Sequence, residues 1–250
     1  MTDARSRFSD RVANYIRYRP GYPPELIAAL LADSAKPVVA DIGSGTGIFT
    51  RLLLQQGLRV YGIEPNANMR QAGEEHLAEY GDFTSIDGGA EDTGLDDASV
   101  DLITAAQAFH WFDNEPSRNE FARILKADGK LALIWNKRRL EQPFQQAYDE
   151  LLREMTPEYG KVNHMNLSNA DIAAFFVEGE MEVQHFDNDQ QLDFEGLSGR
   201  LKSSSYCPAE GTPAYDRLID ALRALFEKHA GNGLLNFEYD TQLYLGPIAR

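Results

Sequence analysis

Cysteine and long apolar runs are scarce in this chain, and each scarcity narrows what the protein can be. Its 250 residues include one cysteine, Cys207, which excludes an intrachain disulfide framework and favours a reducing compartment, the cytoplasm. No apolar run approaches the roughly 20 residues of a membrane-spanning helix. The first five residues are polar and lack the apolar centre of a secretory signal peptide, so we expect no such signal.

Positive charge is also sparse. Lysine and arginine total 24 against 39 aspartates and glutamates, which gives a formal net charge of −15. Affinity for a phosphate backbone comes mainly from cationic contacts, and the clearest basic cluster, residues 137–139, is short. We therefore expect a small-molecule substrate rather than nucleic acid. The five histidines are scattered and no Cys/His spacing is typical of zinc, so we expect no metal.

The most informative stretch is residues 38–47, where a short β-branched run leads into Asp41 and three alternating glycines. An amphipathic segment follows. This order predicts a buried strand, a tight turn and a helix, the first crossover unit of a parallel α/β sheet. Glycine suits the turn because a backbone without Cβ can take positive φ and lets a ligand approach closely. The acidic residue at the end of the strand indicates a nucleoside-like cofactor.

Two cofactor classes fit such a turn. The dinucleotide fingerprint of nicotinamide enzymes needs a small third residue, but Ile48 stands there. Asp41 would also oppose a pyrophosphate, whereas it suits a cofactor with an ammonium group. The letters D-I-G-S-G-T-G resemble the first motif of class I S-adenosylmethionine-dependent methyltransferases, whose cofactor has an aminobutyrate tail. The resemblance implies that the cofactor is bound by Asp41, Gly43, Ser44, Gly45, Thr46 and Gly47.

The second predicted strand, residues 59–65, ends in a carboxylate. Glu64 follows the glycines by about 20 residues, where an acid is the expected partner of the ribose hydroxyls in both cofactor classes. Asn66 is predicted to cap the next helix. In the resembled family this turn lies against the adenosine, which implies roles for Pro65 and for Met69, a residue also predicted to face the core.

Residues 88–92 close a third predicted strand and resemble the family's adenine-binding turn, commonly written G-D-A-E-x-L-P. Gly89 stands where that pattern has aspartate, so the usual side-chain contact to the adenine amino group is missing. The resemblance implies that Ala90 binds the adenine through its backbone N–H and that Glu91 supplies an acceptor. The alternative is an acidic turn without a ligand.

A fourth predicted strand, residues 99–106, leads into the letters Q-A-F-H-W-F. These resemble the loop after strand four in the small-molecule branch of the family, which implies that Gln107 and Ala108 reach under the methyl donor. His110 is a candidate general base because imidazole titrates near neutral pH. The alternative is a structural histidine that shapes the pocket. The loop lacks both the cysteine of cytosine-C5 enzymes and the N/D-P-P-Y/F of DNA amino-methyltransferases.

Residues 15–23 resemble the Y-x-x-x-R-P-x-Y-P segment of the trans-aconitate-methyltransferase-like branch, where an aromatic–arginine strap closes over the cofactor. Arg19 matches its arginine, and the planar guanidinium suits the cofactor carboxylate. A solvated arginine stacked on tyrosine is the alternative. Five residues lie in segments expected to roof the pocket and to hold an acidic acceptor: Arg138, Arg139, Arg200, Lys202 and Tyr206.

Strand–helix pairs alternate up to residue 136, which predicts a doubly wound α/β sheet. We expect a single domain in which residues 1–36 form the strap and a helix, 37–136 the cofactor-binding half, and 137–250 a lid and C-terminal strands. The resemblance implies a Rossmann-like sheet of seven mostly parallel strands in the order 3-2-1-4-5-7-6, the last antiparallel, with a partly helical lid. Further helices are predicted at 24–32, 117–125, 140–155, 193–201 and 213–229, and strands at 130–135, 182–186 and 237–245.

The sequence therefore predicts an enzyme that moves a methyl group from S-adenosylmethionine to a small molecule by in-line displacement. A carboxylate or hydroxyl oxygen is the preferred acceptor, and a carboxylate would need no base. Two alternatives stay open, a nicotinamide-dependent oxidoreductase and a cofactor-binding regulator without turnover. The acceptor's identity and the oligomeric state do not follow from one sequence.

Overall fold

The computed structural model describes residues 16–32, 36–112, 114–161 and 169–249. Seven strands form one sheet in the order β3-β2-β1-β4-β5-β7-β6, which confirms the predicted order. Strand β7 is antiparallel to both of its neighbours and the other pairs are parallel, as expected. The strands are β1 (Val39–Ile42), β2 (Val60–Ile63), β3 (Phe83–Ile86), β4 (Val100–Ala106), β5 (Leu125–Arg138), β6 (Glu182–Leu192) and β7 (Leu235–Pro247).

The α-helices agree with the predicted segments to within a few residues at their ends. The short helix α6 lies in the segment from 156 to 180 that was predicted to be irregular or short-helical, and single 3-10 turns cover Phe109–Trp111 and Tyr159–Lys161. The helices are α1 (Pro24–Leu30), α2 (Ile48–Gln55), α3 (Ala67–His76), α4 (Asn114–Ile124), α5 (Pro143–Met155), α6 (Asn169–Ala173), α7 (Phe194–Lys202) and α8 (Pro213–His229).

The central strands are buried on both faces because helices cover each side of the sheet. Every residue of β1 is buried, as its uninterrupted apolar run predicts. One apolar cluster includes Ile42, Phe109 and Trp135, and a second, around Leu53 and α1, includes Val39. These two layers fix the carboxyl ends of the parallel strands, where ligands bind in open α/β sheets.

The C-terminal strands are longer than predicted. Strand β6 continues beyond residue 186 to Leu192, because each of its residues has a partner in β7. Its exposed edge tolerates polar side chains, so its second half lacks the apolar alternation that marks a strand. Beyond this end of the sheet, α5 packs against α8, and a third apolar cluster includes Tyr148, Phe237 and Tyr239.

Some expectations fall on residues that the structure does not describe. Tyr15, the first residue of the strap motif, and residues 162–168 in the predicted lid lie outside the described ranges. The division into strap, cofactor-binding half and lid stays a prediction. No helix in the described part of the chain is both long and apolar enough to cross a membrane.

Candidate active site

A cavity of about 410 Å³ opens at the carboxyl ends of β1, β2 and β4. The chain leaves β1 in one direction toward β2 and in the other toward β4, so this is the topological switch point of the sheet. All the residues predicted to bind the cofactor or to catalyse line this cavity, with the exception of Gly47. They are Arg19, Asp41, Gly43, Ser44, Gly45, Thr46, Glu64, Pro65, Met69, Ala90, Glu91, Gln107, Ala108 and His110.

The glycine turn brings backbone close to the cavity. Gly43 has φ +71°, and a Cβ built there would lie 2.6 Å from the Cβ of Ala108, so only glycine lets the loop after β4 approach the turn. Gly47 has φ +79° and would meet Leu77 at 2.6 Å, which gives it a packing role behind the turn. The hydroxyl Oγ1 of Thr46 is buried without a hydrogen-bond partner among the described residues.

Asp41 ends β1 as a buried carboxylate that is only 1% exposed. Its two oxygens accept hydrogen bonds from the Thr50 hydroxyl at 2.6 Å and the Thr104 hydroxyl at 2.8 Å. Burial raises the pKa of Asp41 to about 6, against the lowering effect of these two hydroxyls, and the nearby Glu64 raises it further. Asp41 is therefore negatively charged at neutral pH and is stabilised by a cation in the cavity.

Glu64 ends β2 and is held by backbone donors. Its Oε2 accepts from the Gly45 N–H at 2.9 Å and its Oε1 from the Asn66 N–H at 2.8 Å. Burial raises the pKa of Glu64, opposed by these two hydrogen bonds. Asn66 caps α3 as predicted, because its side chain accepts from the Asn68 and Met69 N–H groups. Each oxygen of Glu64 can accept further hydrogen bonds, so the carboxylate is positioned for a pair of hydroxyls.

The third turn contributes a narrow wall of the cavity. The Gly89 N–H donates to the Asp92 carbonyl at 3.0 Å, and this bridge closes the turn around the buried Ala90. The Ser117 hydroxyl donates to Glu91 Oε1 at 3.3 Å. Gly89 and Ala90 bring backbone close to a planar group there, and Glu91 brings a carboxylate.

The loop after β4 is shaped by tertiary contacts. Gln107 has φ +59°, a left-handed conformation that costs a non-glycine residue on the order of 1 kcal/mol, and its N–H donates to the Ile134 carbonyl at 2.9 Å. Burial lowers the pKa of His110 to about 4, helped by the nearby charge of Arg19. His110 is therefore neutral at neutral pH and a weak proton acceptor, which disfavours the general-base interpretation.

These features fit an amino-acid-tailed nucleoside at the strand ends. The buried Thr46 hydroxyl lacks a protein partner, and Asp41 is stabilised by a cation. A Cβ on Gly45 would lie 3.5 Å from Met69 Cε and would narrow the cavity. No cluster of three potential metal ligands occurs among the residues that the structure describes.

The opposite end of the cavity is lined by arginine and tyrosine side chains. Arg200, on α7, is 6% exposed and packs over the rings of Phe237 and Tyr239, with Cζ 4.7 Å and 5.3 Å from their centroids. Its Nε donates to the Tyr239 hydroxyl. Within the described ranges, no carboxylate pairs with Arg200. A buried guanidinium without a carboxylate indicates an anionic ligand, because an uncompensated buried charge is costly.

Arg138 reaches the same end from β5. It pairs with the buried Asp149 at 3.1 Å and donates to the Tyr159 hydroxyl, and Asp149 also pairs with Arg153 at 2.6 Å. Nη1 of Arg138 and the Tyr148 hydroxyl are buried without hydrogen-bond partners in the described part of the chain. Two buried guanidinium groups thus share one buried carboxylate, which leaves this end of the cavity positive.

Three of the five residues predicted to roof the pocket line the cavity, namely Arg138, Arg200 and Tyr206. The other two do not: Arg139 pairs with Asp187 on the exposed side of β6, and Lys202 pairs with Glu210 at 3.3 Å. Sequence reasoning missed several lining residues. Tyr239 could have been found, because it occupies an inward position in the predicted alternation of β7. Tyr159 lies in a segment without periodicity, and nothing in the sequence marks it.

Known proteins resemble this chain in both sequence and fold. Residues 40–133 match a family model described as a methyltransferase domain. An uncharacterized methyltransferase of Mycobacterium tuberculosis (strain ATCC 25618 / H37Rv) is 32% identical over 225 residues, which cover 89% of this chain and 86% of that protein. An uncharacterized methyltransferase of Schizosaccharomyces pombe is 32% identical over 154 residues, which cover 59% of each protein.

Two solved structures share the fold at lower identity. A type II methyltransferase candidate from Anaeromyxobacter dehalogenans superposes with a TM-score of 0.64 at 23% identity, over 92% of this chain and 96% of that one. Haemonchus contortus phosphoethanolamine N-methyltransferase 2, in complex with phosphomonomethylethanolamine and S-adenosylhomocysteine, has a TM-score of 0.56 at 15% identity. That match covers 97% of this chain and 58% of that one.

Proposed function

The chain belongs to the S-adenosylmethionine-dependent methyltransferases, and from that premise we propose that it methylates a carboxylate oxygen of a small organic acid. Membership rests on the methyltransferase domain match and on the mycobacterial relative. The observation that carries the acceptor class is Arg200, a buried guanidinium in the cavity that has no carboxylate partner among the described residues. The net charge of −15 favours a small acid over a nucleic acid.

The cofactor would be held at the strand ends. Asp41 faces the ammonium group of its amino-acid tail, Glu64 accepts from the ribose hydroxyls, and the turn at Ala90 and Glu91 borders the adenine. Arg19 pairs with the tail carboxylate. S-adenosylmethionine, when bound, supplies an electrophilic methyl group on a sulfonium. The backbone close to Gly43 and the strained Gln107 hold the loop after β4 against that group.

The acceptor would be held by the positive end of the cavity. Arg200 and Arg138 orient its negative charge, and the tyrosine rings exclude water from the reacting atoms. The acceptor oxygen forms the new C–O bond as the C–S bond breaks in line, and the sulfur leaves as a neutral thioether. A carboxylate has no proton to lose. The low pKa of His110 supports this acceptor over a hydroxyl, which would need a base with a pKa closer to 7.

Transfer of labelled methyl groups tests the proposal. The protein is incubated with methyl-labelled S-adenosylmethionine and a panel of small carboxylic acids, each paired with its neutral amide. We expect label in the acids and not in the amides. We also expect mild alkali to release the label as methanol, because methyl esters hydrolyse where ethers and methylamines do not. Label that enters the amides equally, or that resists alkali, contradicts a carboxylate acceptor.

A further inference from the structure

The guanidinium of Arg200 is oriented by one hydroxyl, that of Tyr239. Phe237 and Tyr239 stack with centroids 5.2 Å apart and an interplanar angle of 27°, and form a flat apolar surface under the guanidinium. That surface fixes the plane of the guanidinium. The hydrogen bond from Nε to the Tyr239 hydroxyl fixes its direction within that plane. The terminal nitrogens are thereby left for a ligand.

The same hydroxyl is linked to the N-terminal strap, defined here as residues 16–23. The Tyr239 hydroxyl donates to Gln190 Oε1 at 3.3 Å, and Gln190 Nε2 donates to the Tyr18 carbonyl at 3.4 Å. Tyr18 directly precedes Arg19, which lines the cavity. A chain of hydrogen bonds therefore joins Arg200 to the backbone beside Arg19.

A second set of contacts ties the strap to α7, the helix that carries Arg200. A Cβ on Gly199 would lie 2.2 Å from the ring of Tyr18, so glycine is needed for the strap to pack there. Arg19 Nη2 donates to the Ser203 carbonyl at 3.3 Å, just beyond the end of α7. The Tyr18 hydroxyl donates to Glu195 on the same helix at 3.0 Å. The strap and the helix are therefore fastened at several points.

We propose that Tyr239 and Gln190 are positioning residues that couple an anion on Arg200 to the strap, so that anionic acceptor and cofactor strengthen each other's binding. The proposal rests on the function given above, because it takes Arg19 as a cofactor contact and Arg200 as the acceptor contact. An anion that holds Arg200 also holds the Tyr239 and Gln190 hydrogen bonds, and these hold the strap. By linkage the effect is reciprocal, so each ligand changes the affinity of the other by the same factor.

Calorimetric titration of the full chain with S-adenosylhomocysteine tests the coupling, with succinate as the anionic probe and succinamide as its neutral match. We expect saturating succinate to tighten S-adenosylhomocysteine binding about tenfold in the wild-type protein, a typical coupling. Succinamide should leave that affinity unchanged. The reverse titration should return the same factor.

Two variants separate the links of the chain. Gln190→Ala keeps the contact between Tyr239 and Arg200, so it should retain the affinity for each ligand alone but lose the coupling. Tyr239→Phe should also weaken succinate binding, because Arg200 loses its fixed direction. A purely structural role of either side chain would lower stability without removing the coupling selectively.

Tyr244→Phe is the matched control. It removes a buried hydrogen bond of 2.8 Å between a tyrosine and a glutamine on the same strand, away from the cavity, and should keep the full coupling. Wild-type protein without coupling, or Gln190→Ala and Tyr239→Phe proteins with full coupling, would overturn the proposal. Absence of S-adenosylhomocysteine binding altogether would instead overturn the proposed function on which it rests.

Discussion

The two ends of the cavity are built in opposite ways. The cofactor end uses backbone and carboxylates from residues 41–69, a continuous part of the chain that forms β1, β2 and the turns after them. The acceptor end uses side chains from β5, α7, β7 and the turn at Tyr159–Lys161, separated by up to about 100 residues. The first end is a local structure that many acceptors can share, and the second is a tertiary structure that selects among them.

The largest expected effect breaks the acceptor end alone. Arg200→Met should lower kcat/KM for a carboxylate acceptor on the order of 1,000-fold, about 4 kcal/mol, because the anion loses its buried partner. Affinity for S-adenosylhomocysteine without acceptor should be unchanged. Steady-state kinetics and calorimetry measure the two quantities. Lys202→Met, two residues along the chain and outside the cavity, is the control, and an equal loss there would contradict the assignment.

The next effect breaks the cofactor end through its backbone. Gly43→Ala should lower the free energy of unfolding by about 3 kcal/mol, because it combines left-handed strain with the contact to Ala108. Gly57→Ala has the same kind of strain at φ +72° with no atom within 4 Å, so it should cost only about 1 kcal/mol. Urea denaturation compares the two. Only Gly43→Ala should also weaken S-adenosylhomocysteine binding, and two equal proteins would refute the close approach.

Protonation of Asp41 gives a pH-dependent difference between the ends. The pKa of Asp41 is about 6 in the folded protein against 3.8 ordinarily, so its contribution to stability is present below pH 3.8 and lost as the pH rises through 6. The shift corresponds to about 3 kcal/mol at most. Asp41→Asn should remove this part of the pH dependence from the ligand-free protein, as urea denaturation at several pH values would measure. Parallel profiles for both proteins would contradict the raised pKa.

Cofactor binding should follow the same titration. Because the ionised Asp41 attracts a cation, affinity for S-adenosylhomocysteine should fall as the pH drops through 6 in the wild-type protein. The Asp41→Asn protein should bind more weakly at neutral pH and lack this dependence. Calorimetry at pH 5 and pH 7 would distinguish the outcomes.

The smallest effect concerns His110, between the two ends. Because its pKa is about 4, His110 does not titrate between pH 6 and 8, and His110→Asn should change kcat by less than about tenfold. The pH profile of kcat at saturating cofactor should keep its shape. A loss of 100-fold or more, with the disappearance of a limb near neutral pH, would restore His110 as the general base.

The same comparison explains how far the sequence could be read. The cofactor end follows from local patterns, since Asp41 and Glu64 each close an apolar run beside a turn. At the acceptor end, Arg138 and Arg139 are neighbours in sequence, yet one lines the cavity and the other pairs on the surface. Which one turns inward depends on the register of β5 against β7, and a single sequence does not specify that register.

The most direct test is a crystal structure of the protein grown with S-adenosylhomocysteine and succinate. We predict the nucleoside at the glycine turn, with its ribose hydroxyls on Glu64, and a succinate carboxylate on Arg200 in the same cavity. A nucleoside bound away from Gly43 and Glu64, or an Arg200 that contacts only neutral groups while succinate binds elsewhere, would contradict a cavity with one end for cofactor and one for an anionic acceptor.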